Sequence, residues 1–412
     1  MAPRGPWEKT DRGGAAGSPG PPPSQHKGEA EGGACLRIAI VANEPSGDLL
    51  GARLMAALKA RHPRVRFEGV GGPRMAAEGL ESLVPLERLS VMGLLGVVRR
   101  LPELIAIRRR LAARFLADPP DGFIGIDAPD FNLGLEARLR RAGIPCIHYV
   151  CPTVWAWRPG RVKTLRRAAD LILALFPFEP PLLERAGVRA RFVGHPLGQE
   201  IPLETDRETA REGLGLPTDA ALWVALLPGS RRSEVEALAA PFLEAAAWLH
   251  ERRPEVRFIV PLVNGELAGL FEARIPPGLP IHCFRGRARE VLGAADLVLT
   301  ASGTATLEAL LVGRPMVVGY RLDPFSYWVV RAFRLVKTPY IAMANLVAGE
   351  GLAPEFIQHA CNAEALGRAL LDLLEAPERR QEILARYREI HRGMALDASA
   401  EAADAVLGLI RR

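Results

Sequence analysis

From Leu36 onward the chain repeats one pattern: a short apolar run, a turn, then an amphipathic stretch. That spacing suits β-α units. In the first half it predicts strands at Arg37–Ala42, Arg66–Val70, Phe123–Ile126, Cys146–Val150, Leu171–Leu175 and Arg191–Val193, with helices including Leu49–Ala60, Leu133–Ala142 and Gly160–Ala169. Such alternation predicts a mostly parallel sheet covered on both faces. A polar stretch, Leu203 to Ala220, interrupts the rhythm. It restarts with Trp223–Leu227, Phe258–Val260, Ile281–Phe284, Leu297–Thr300 and Met316–Val318, and with helices at Ser233–Arg252 and Thr304–Val312. The expected architecture is α/β: two Rossmann-like parallel-sheet domains facing across a cleft, over residues 36–202 and 203–412, the second ending in a helical segment, Ala363–Ile410. Residues 1–35 stand apart. Eight Gly and six Pro leave almost no aliphatic side chains there to offset the entropy of ordering. With no apolar core like a secretory signal, the segment reads as a disordered tail, or as a start codon placed too far upstream.

Composition narrows the class. The 412 residues are 49% hydrophobic and 24% charged, with formal net charge +6. This excludes disorder for most of the chain. No stretch reaches the roughly 18–20 apolar residues of a spanning helix. Five cysteines, an odd number without a close Cys-x-x-Cys pair, argue against a disulfide framework or zinc ribbon and suit a reducing compartment. Of 53 basic residues only five are Lys. GC-rich coding accounts for Arg over Lys, but not for where the charge collects. Residues 36–200 hold 25 basic against 16 acidic residues, whereas residues 201–412 hold 24 against 27. From Arg138 to Arg167 there are eight basic residues and no acidic one. The planar fork of arginine grips phosphate well, so the first half is expected to meet an anionic partner.

In open parallel α/β sheets ligands bind beyond the carboxyl ends of strands. Trp223–Leu227 runs into Pro228-Gly229-Ser230-Arg231-Arg232, followed by a helix opening with Glu234 and Glu236. Gly229 permits close backbone approach, Ser230 and Arg231 donate to an oxyanion, and the helix start adds free N–H groups; the alternative is a plain strand-to-helix turn. Leu297–Thr300 runs into Ala301-Ser302-Gly303-Thr304-Ala305-Thr306, small residues that let a diphosphate lie against a helix N-terminus. Glu308, one turn further, either meets a sugar hydroxyl or is a solvated first-turn carboxylate. Neither loop is a P-loop or a G-x-G-x-x-G, so the pair suggests a nucleoside diphosphate in the second half.

Phe123–Ile126 ends in Asp127-Ala128-Pro129-Asp130-Phe131-Asn132. One of these carboxylates, beside an incoming hydroxyl, can act as general base. Either can instead cap the next helix, Asp130 being nearer its start. The first strand ends in Asn43-Glu44-Pro45-Ser46-Gly47-Asp48, where Gly47 supplies a tight turn and Ser46 or Asp48 caps the helix. His195, at the domain junction, suits a structural or a catalytic role equally. No Asp-x-Asp and no cluster of His and Cys occurs, so neither a metal nor another cofactor is expected. Residues 88–116 set seven Arg against one Glu beside an apolar cluster from Val91 to Val98. Pro102 is expected to open a helix with Leu104, Ile107, Leu111 and Phe115 on one face. Such a stretch is either a core-facing helix with a solvated basic side or a surface for an anionic bilayer, met by Met92, Leu94, Leu95, Val97 and Val98.

Taken in order, Glu44-Pro45-Ser46-Gly47-Asp48, Gly72-Pro73-Arg74-Met75, Gly125-Ile126-Asp127-Ala128-Pro129-Asp130-Phe131-Asn132, His148-Tyr149-Val150, Val154-Trp155-Ala156-Trp157-Arg158, Leu226-Leu227-Pro228-Gly229-Ser230-Arg231, Ala301-Ser302-Gly303-Thr304-Ala305 and Val317-Val318-Gly319-Tyr320-Arg321 resemble the lipid-A-disaccharide synthase family, from about Leu36 to the C-terminus. The resemblance implies a GT-B, inverting hexosyltransferase. It would move 2,3-diacylglucosamine from UDP to the 6-hydroxyl of 2,3-diacylglucosamine 1-phosphate, giving the β-1,6-linked lipid A disaccharide 1-phosphate and UDP. Asp127 matches the family's essential aspartate and Arg231 its arginine at the donor diphosphate. Gly229, Ser230, Ser302, Gly303, Thr304, Glu308 and Asn345 match nucleotide contacts, while Glu44, Ser46, Gly47, Asp48 and Asp130 fall in acceptor loops. Asn43, Cys151 and Thr153 depart from the family pattern there. The resemblance also implies a peripheral protein on the anionic inner face of the inner membrane, pairing of two copies, no nucleic acid, and helix N-termini with Arg rather than a metal at the leaving diphosphate. The alternatives are another GT-B enzyme acting on non-acylated UDP-N-acetylglucosamine, or a non-catalytic lipid- or nucleotide-binding protein.

Overall fold

The computed structural model describes residues 35–90, 94–154, 160–217, 222–322 and 338–410, with the backbone alone over 94–99. Expectations for residues 1–34, for Met92, for the side chains of Leu94, Leu95, Val97 and Val98, and for Trp155 to Arg158 lie outside them. Among the described residues, β1 (Leu36–Ala42), β2 (Val65–Val70), β3 (Leu80–Ser82), β4 (Gly122–Ile126), β5 (Cys146–Tyr149), β6 (Leu171–Ala174) and β7 (Ala190–Phe192) form one sheet, in the order β3-β2-β1-β4-β5-β6-β7. A second sheet takes β8 (Leu222–Leu227), β9 (Val256–Leu262), β10 (Ile281–Arg285), β11 (Leu297–Ala301), β12 (Met316–Tyr320) and β13 (Glu355–Ile357), in the order β10-β9-β8-β11-β12-β13. Every pairing is parallel.

The order reverses once in each sheet. The chain builds outward from β1 to β3 and returns to β4; it builds outward from β8 to β10 and returns to β11. At such a switch point the two central loops part in opposite directions and leave a crevice beyond the strand ends. The four loops whose chemistry stands out in the sequence are those after β1, β4, β8 and β11.

Alternation along β1 supplies both faces of the first sheet: Ile38, Ile40 and Ala42 pack with Leu54, Met55 and Leu58 of helix Pro45–Arg61, while Ala39 and Val41 pack with Ile107, Leu111 and Phe115 of helix Leu94–Ala117. Pro102 lies inside that second helix rather than opening it. Its ring removes one N–H from the helical ladder, and the helix continues on both sides. The expected face is present, with Leu104 partly buried and the other three buried, so the helix from residue 100 onward turns this face to the core. On its polar side Arg100 pairs with Glu103, which also takes Arg88 from the preceding turn, and Arg114 pairs with Glu68. Within the expected polar interruption a short helix forms at Arg207–Gly213, capped by Asp206 on the Glu208 N–H at 3.1 Å.

The helical C-terminal segment resolves into Ala363–Glu375, Pro377–Met394 and Ala398–Ile410. The first two cover the second sheet through Leu366, Leu370, Ile383 and Tyr387. The last returns to the first sheet, where Ala402, Ala403, Val406 and Leu407 join the core beside Leu54 and Leu58. No helix among the described residues is long and apolar enough to cross a membrane.

Candidate functional site

The loops after β8 and β11 wall a cavity of about 320 Å³. Gly229, Ser230, Arg231 and Glu234 line it with Ser302, Gly303, Thr304 and Glu308, so seven of the residues expected at the nucleotide converge there. Gly229 (φ 111°) has no room for a side chain: a Cβ would lie 2.5 Å from Glu234 Oε2. That oxygen accepts from the backbone N–H groups of Ser230 at 3.0 Å and Arg231 at 3.2 Å, at the start of helix Arg232–Arg252. The Arg231 side chain is 80% exposed and touches only Glu234 among the described residues, at 3.3 Å, so it is free to turn toward a ligand. The second loop is pinned from behind: Ser302 Oγ donates to the Ile341 carbonyl at 2.9 Å, and Thr306 Oγ1 donates to Gly303 and accepts from the Met343 N–H. Glu308 is half-buried, and burial pushes its carboxyl above the usual range, against the pull of Arg289.

Asn345 does not line this cavity. It is fully buried, its Nδ2 donates to Ala353 O at 2.7 Å and Glu355 Oε1 at 2.8 Å, and its Oδ1 accepts from Ala353 N at 2.9 Å. Its amide braces the strand that enters β13. Glu234 and Glu355 are the polar residues of this region whose roles went unread in the sequence. The capping spacing Arg231-x-x-Glu234 was the available signal for the first; Glu355 carries none.

In the first sheet, β4 ends in a left-handed turn at Asp127 (φ 50°) and Ala128 (φ 43°), and β5 ends at Val150 (φ 77°). Left-handed non-glycine residues are uncommon, a β-branched one especially, and they concentrate at functional sites. Neither Asp127 nor Asp130 caps the following helix: Ala128 holds the cap position and no side chain serves it. Asp130 is 83% exposed and pairs with Arg161. The half-buried Asp127 carboxylate has no hydrogen-bond or ion-pair partner among the described residues. Ala128 and Asp130 of this loop, though not Asp127 itself, line a mostly apolar cavity of about 320 Å³, walled by Leu89, Leu101, Leu104, Ile105 and Phe131, with Asn43, Glu44 and Arg108 as its other polar members.

Of the first loop, Glu44 and Ser46 are exposed, and Gly47 is packed where a Cβ would meet the Ala42 Cβ at 3.2 Å. Asp48 turns away and caps a different helix, Pro73–Ala77, accepting from Gly72 N at 2.8 Å, Met75 N at 3.0 Å and Arg74 N at 3.1 Å. His195 has a structural role: its Nδ1 accepts from Leu197 N at 3.1 Å, and its ring lies 5.2 Å from that of Phe176. Burial pushes its pKa down to about 4. Glu200, five residues on, accepts from Arg53 of the first half and Arg289 of the second, each at 2.9 Å.

A family model described as lipid-A-disaccharide synthetase matches residues 38–407. Similar proteins include the lipid-A-disaccharide synthases of Pseudomonas fluorescens, 54% identical over 91% of this chain and 98% of that protein, and of Alkalilimnicola ehrlichii, 51% identical over 90% of this chain and 98% of that protein. Among solved structures, the glycotransferase of kitacinnamycin aligns with TM-score 0.60 and 19% identity, covering 92% of this chain and all of that one. The calicheamicin glycosyltransferase aligns with TM-score 0.57 and 16% identity, covering 92% and 99%. These likenesses establish the GT-B fold of two Rossmann-like halves.

Proposed function

The chain belongs to the lipid-A-disaccharide synthase family and has a glycosyltransferase fold, and from that premise we propose that it joins 2,3-diacylglucosamine, carried on UDP, to the 6-hydroxyl of 2,3-diacylglucosamine 1-phosphate. The observation that carries this reading is what lies at the two switch points: a carboxylate, Asp127, without a partner among the described residues, beyond the first sheet, and a cavity of small residues and helix N-termini beyond the second. In the proposed step Asp127 takes the proton of the acceptor 6-hydroxyl. That oxygen forms a bond to the anomeric carbon while the bond to UDP breaks on the opposite face, so an α-linked donor gives a β-linked product in one inversion. The negative charge growing on the leaving diphosphate is met by Arg231 and by the backbone N–H groups at the two helix starts. Glu308, which lines the same cavity, would meet a sugar hydroxyl. The apolar cavity lined by Ala128 and Asp130, next in the chain to Asp127, suits an acyl chain. The division near residues 202 and 203 then separates an acceptor and membrane-docking domain from a UDP-sugar domain, with the start of helix Leu94–Ala117 on the anionic inner face of the inner membrane, and two copies pairing through their C-terminal parts.

The test is release of UDP from defined acyl-UDP-sugar donors with and without the monosaccharide 1-phosphate. The expected result is acceptor-dependent release, with Asp127→Asn slower by about 10²–10⁴-fold while still binding UDP. Near-normal turnover of a folded Asp127→Asn would remove the base assignment. Acceptor-independent turnover of non-acylated UDP-N-acetylglucosamine would favour a sugar-nucleotide epimerase instead, a reading for which the apolar cavity has no use.

A further inference from the structure

Helix Pro129–Arg141 carries two polar residues with no exposed surface directly behind the Asp127 turn, Asn132 and Glu136. Asn132 Nδ2 donates to the carbonyl of Ile126 at 3.2 Å and to that of Asp127 at 2.9 Å. Those carbonyls belong to the two peptide units that flank the Asp127 Cα. The N–H of the first of these units donates to the Tyr149 carbonyl at 2.8 Å. Both peptide planes beside Asp127 are therefore anchored, the second by Asn132 alone among the described residues. A left-handed aspartate persists only where its surroundings over-determine it. Without these bonds the backbone is free to relax to an ordinary conformation, and its carboxylate would swing with it.

The anchor has its own support. Gly125 on β4 leaves the space in which Asn132 and Glu136 lie: a Cβ there would stand 3.0 Å from the Asn132 Cβ and 2.1 Å from Glu136 Oε1. Glu136 Oε1 lies 2.7 Å from His148 Nδ1, and both side chains are fully buried. His148 sits on β5 directly before Tyr149, whose carbonyl holds the Asp127 N–H. One buried pair thus fixes the helix that carries Asn132 to the strand that carries the other anchor.

We propose that Asn132 is a positioning residue for the transfer reaction, setting the direction of the Asp127 carboxylate through its two flanking carbonyls, with Gly125 and the Glu136–His148 pair holding Asn132 in place. This rests on Asp127 being the base. The test compares full-length wild type, Asn132→Ala, the isosteric Asn132→Asp (which turns two donors into acceptors facing two carbonyls) and Asp127→Asn. It reads kcat, donor KM, UDP binding by calorimetry and the melting temperature, with all kinetics run well below each melting transition. The expected result is a loss of about 10–100-fold in kcat for Asn132→Ala and more for Asn132→Asp, with donor KM and UDP affinity within about twofold of wild type. Should Asn132→Ala fail to fold, the isosteric variant carries the comparison. A kcat within threefold of wild type in a folded Asn132 variant, or a loss that only tracks the unfolded fraction, overturns the positioning role. If Asp127→Asn alone stays active, the base assignment fails instead, and the two failures are told apart in one experiment.

Discussion

Glu234 holds the two backbone donors that an anionic ligand at the β8 loop would need. A carboxylate and a diphosphate at one helix N-terminus repel, so donor binding has to displace this side chain. Glu234→Gln keeps an acceptor for the cap and removes the charge. It is expected to tighten UDP binding by about fivefold, close to 1 kcal/mol, in a calorimetric titration. Weaker binding would show that Glu234 instead orients Arg231. Chemistry local in the chain was legible at this scale: Gly229, Ser230, Arg231, Ser302, Gly303 and Thr304 sit together because each loop directly follows its own strand. Roles that depend on a distant partner were not legible. Asp48 caps a helix whose first residues lie 24 to 27 positions away, and Asn345 serves Glu355 and Ala353. Nothing near either residue signals that use.

Elements with both an apolar run and a turn signal were readable, and those lacking one were not. β3 and β13 have three residues each and sit at sheet edges; β7 is as short and also at an edge, but its Phe192-Val193 pair runs straight into Gly194, the turn signal that β3 lacks after Ser82 and β13 after Ile357. Helix Leu94–Ala117 passes through Pro102 because Ile107, Leu111 and Phe115 anchor it to the core, and packing outweighs one lost helical bond. At the junction, the short helix Pro196–Glu200 is capped by a neutral His195. Burial puts the pKa of His195 at about 4, whereas in the unfolded chain it protonates below roughly 6.5. A depressed folded-state value means stability is complete above pH 6.5 and lost as pH falls toward 4, the Glu200 carboxylate opposing the shift. His195→Asn retains an acceptor for the Leu197 N–H but does not titrate. Its melting temperature is expected to fall less than that of wild type between pH 6.5 and 4; parallel curves would count against this account.

Across the whole molecule, the basic run from Arg138 to Arg167 is not one surface. Arg161 sits by Asp130 at the carboxyl ends of the first sheet, while Arg140, Arg141 and Arg167 surround Pro145 and Asp170 at its amino ends. Charge in the first half therefore faces two ways, and only one of them overlooks the candidate chemistry. Besides the last helix, Ala398–Ile410, which packs on the first sheet, one ionic link between the halves is Glu200, held between Arg53 and Arg289. Its electrostatic reach extends to Glu308 in the nucleotide cavity. Transfer requires the acceptor oxygen and the anomeric carbon to approach within about 3–3.5 Å, and each reactant is assigned to a different half, so the relation between the halves enters the rate. The bridges are partly exposed, 38% and 28% for one and 49% and 28% for the other, and each contributes no more than about 1 kcal/mol. Glu200→Gln should therefore lower kcat/KM by about three- to tenfold at low ionic strength without unfolding the chain. Salt screens such pairs as well as the contacts to the charged substrates, so raising ionic strength should depress kcat/KM more in wild type than in the variant and narrow the gap between them. Equal salt dependence in the two proteins would mean that Glu200 does not govern how the halves meet.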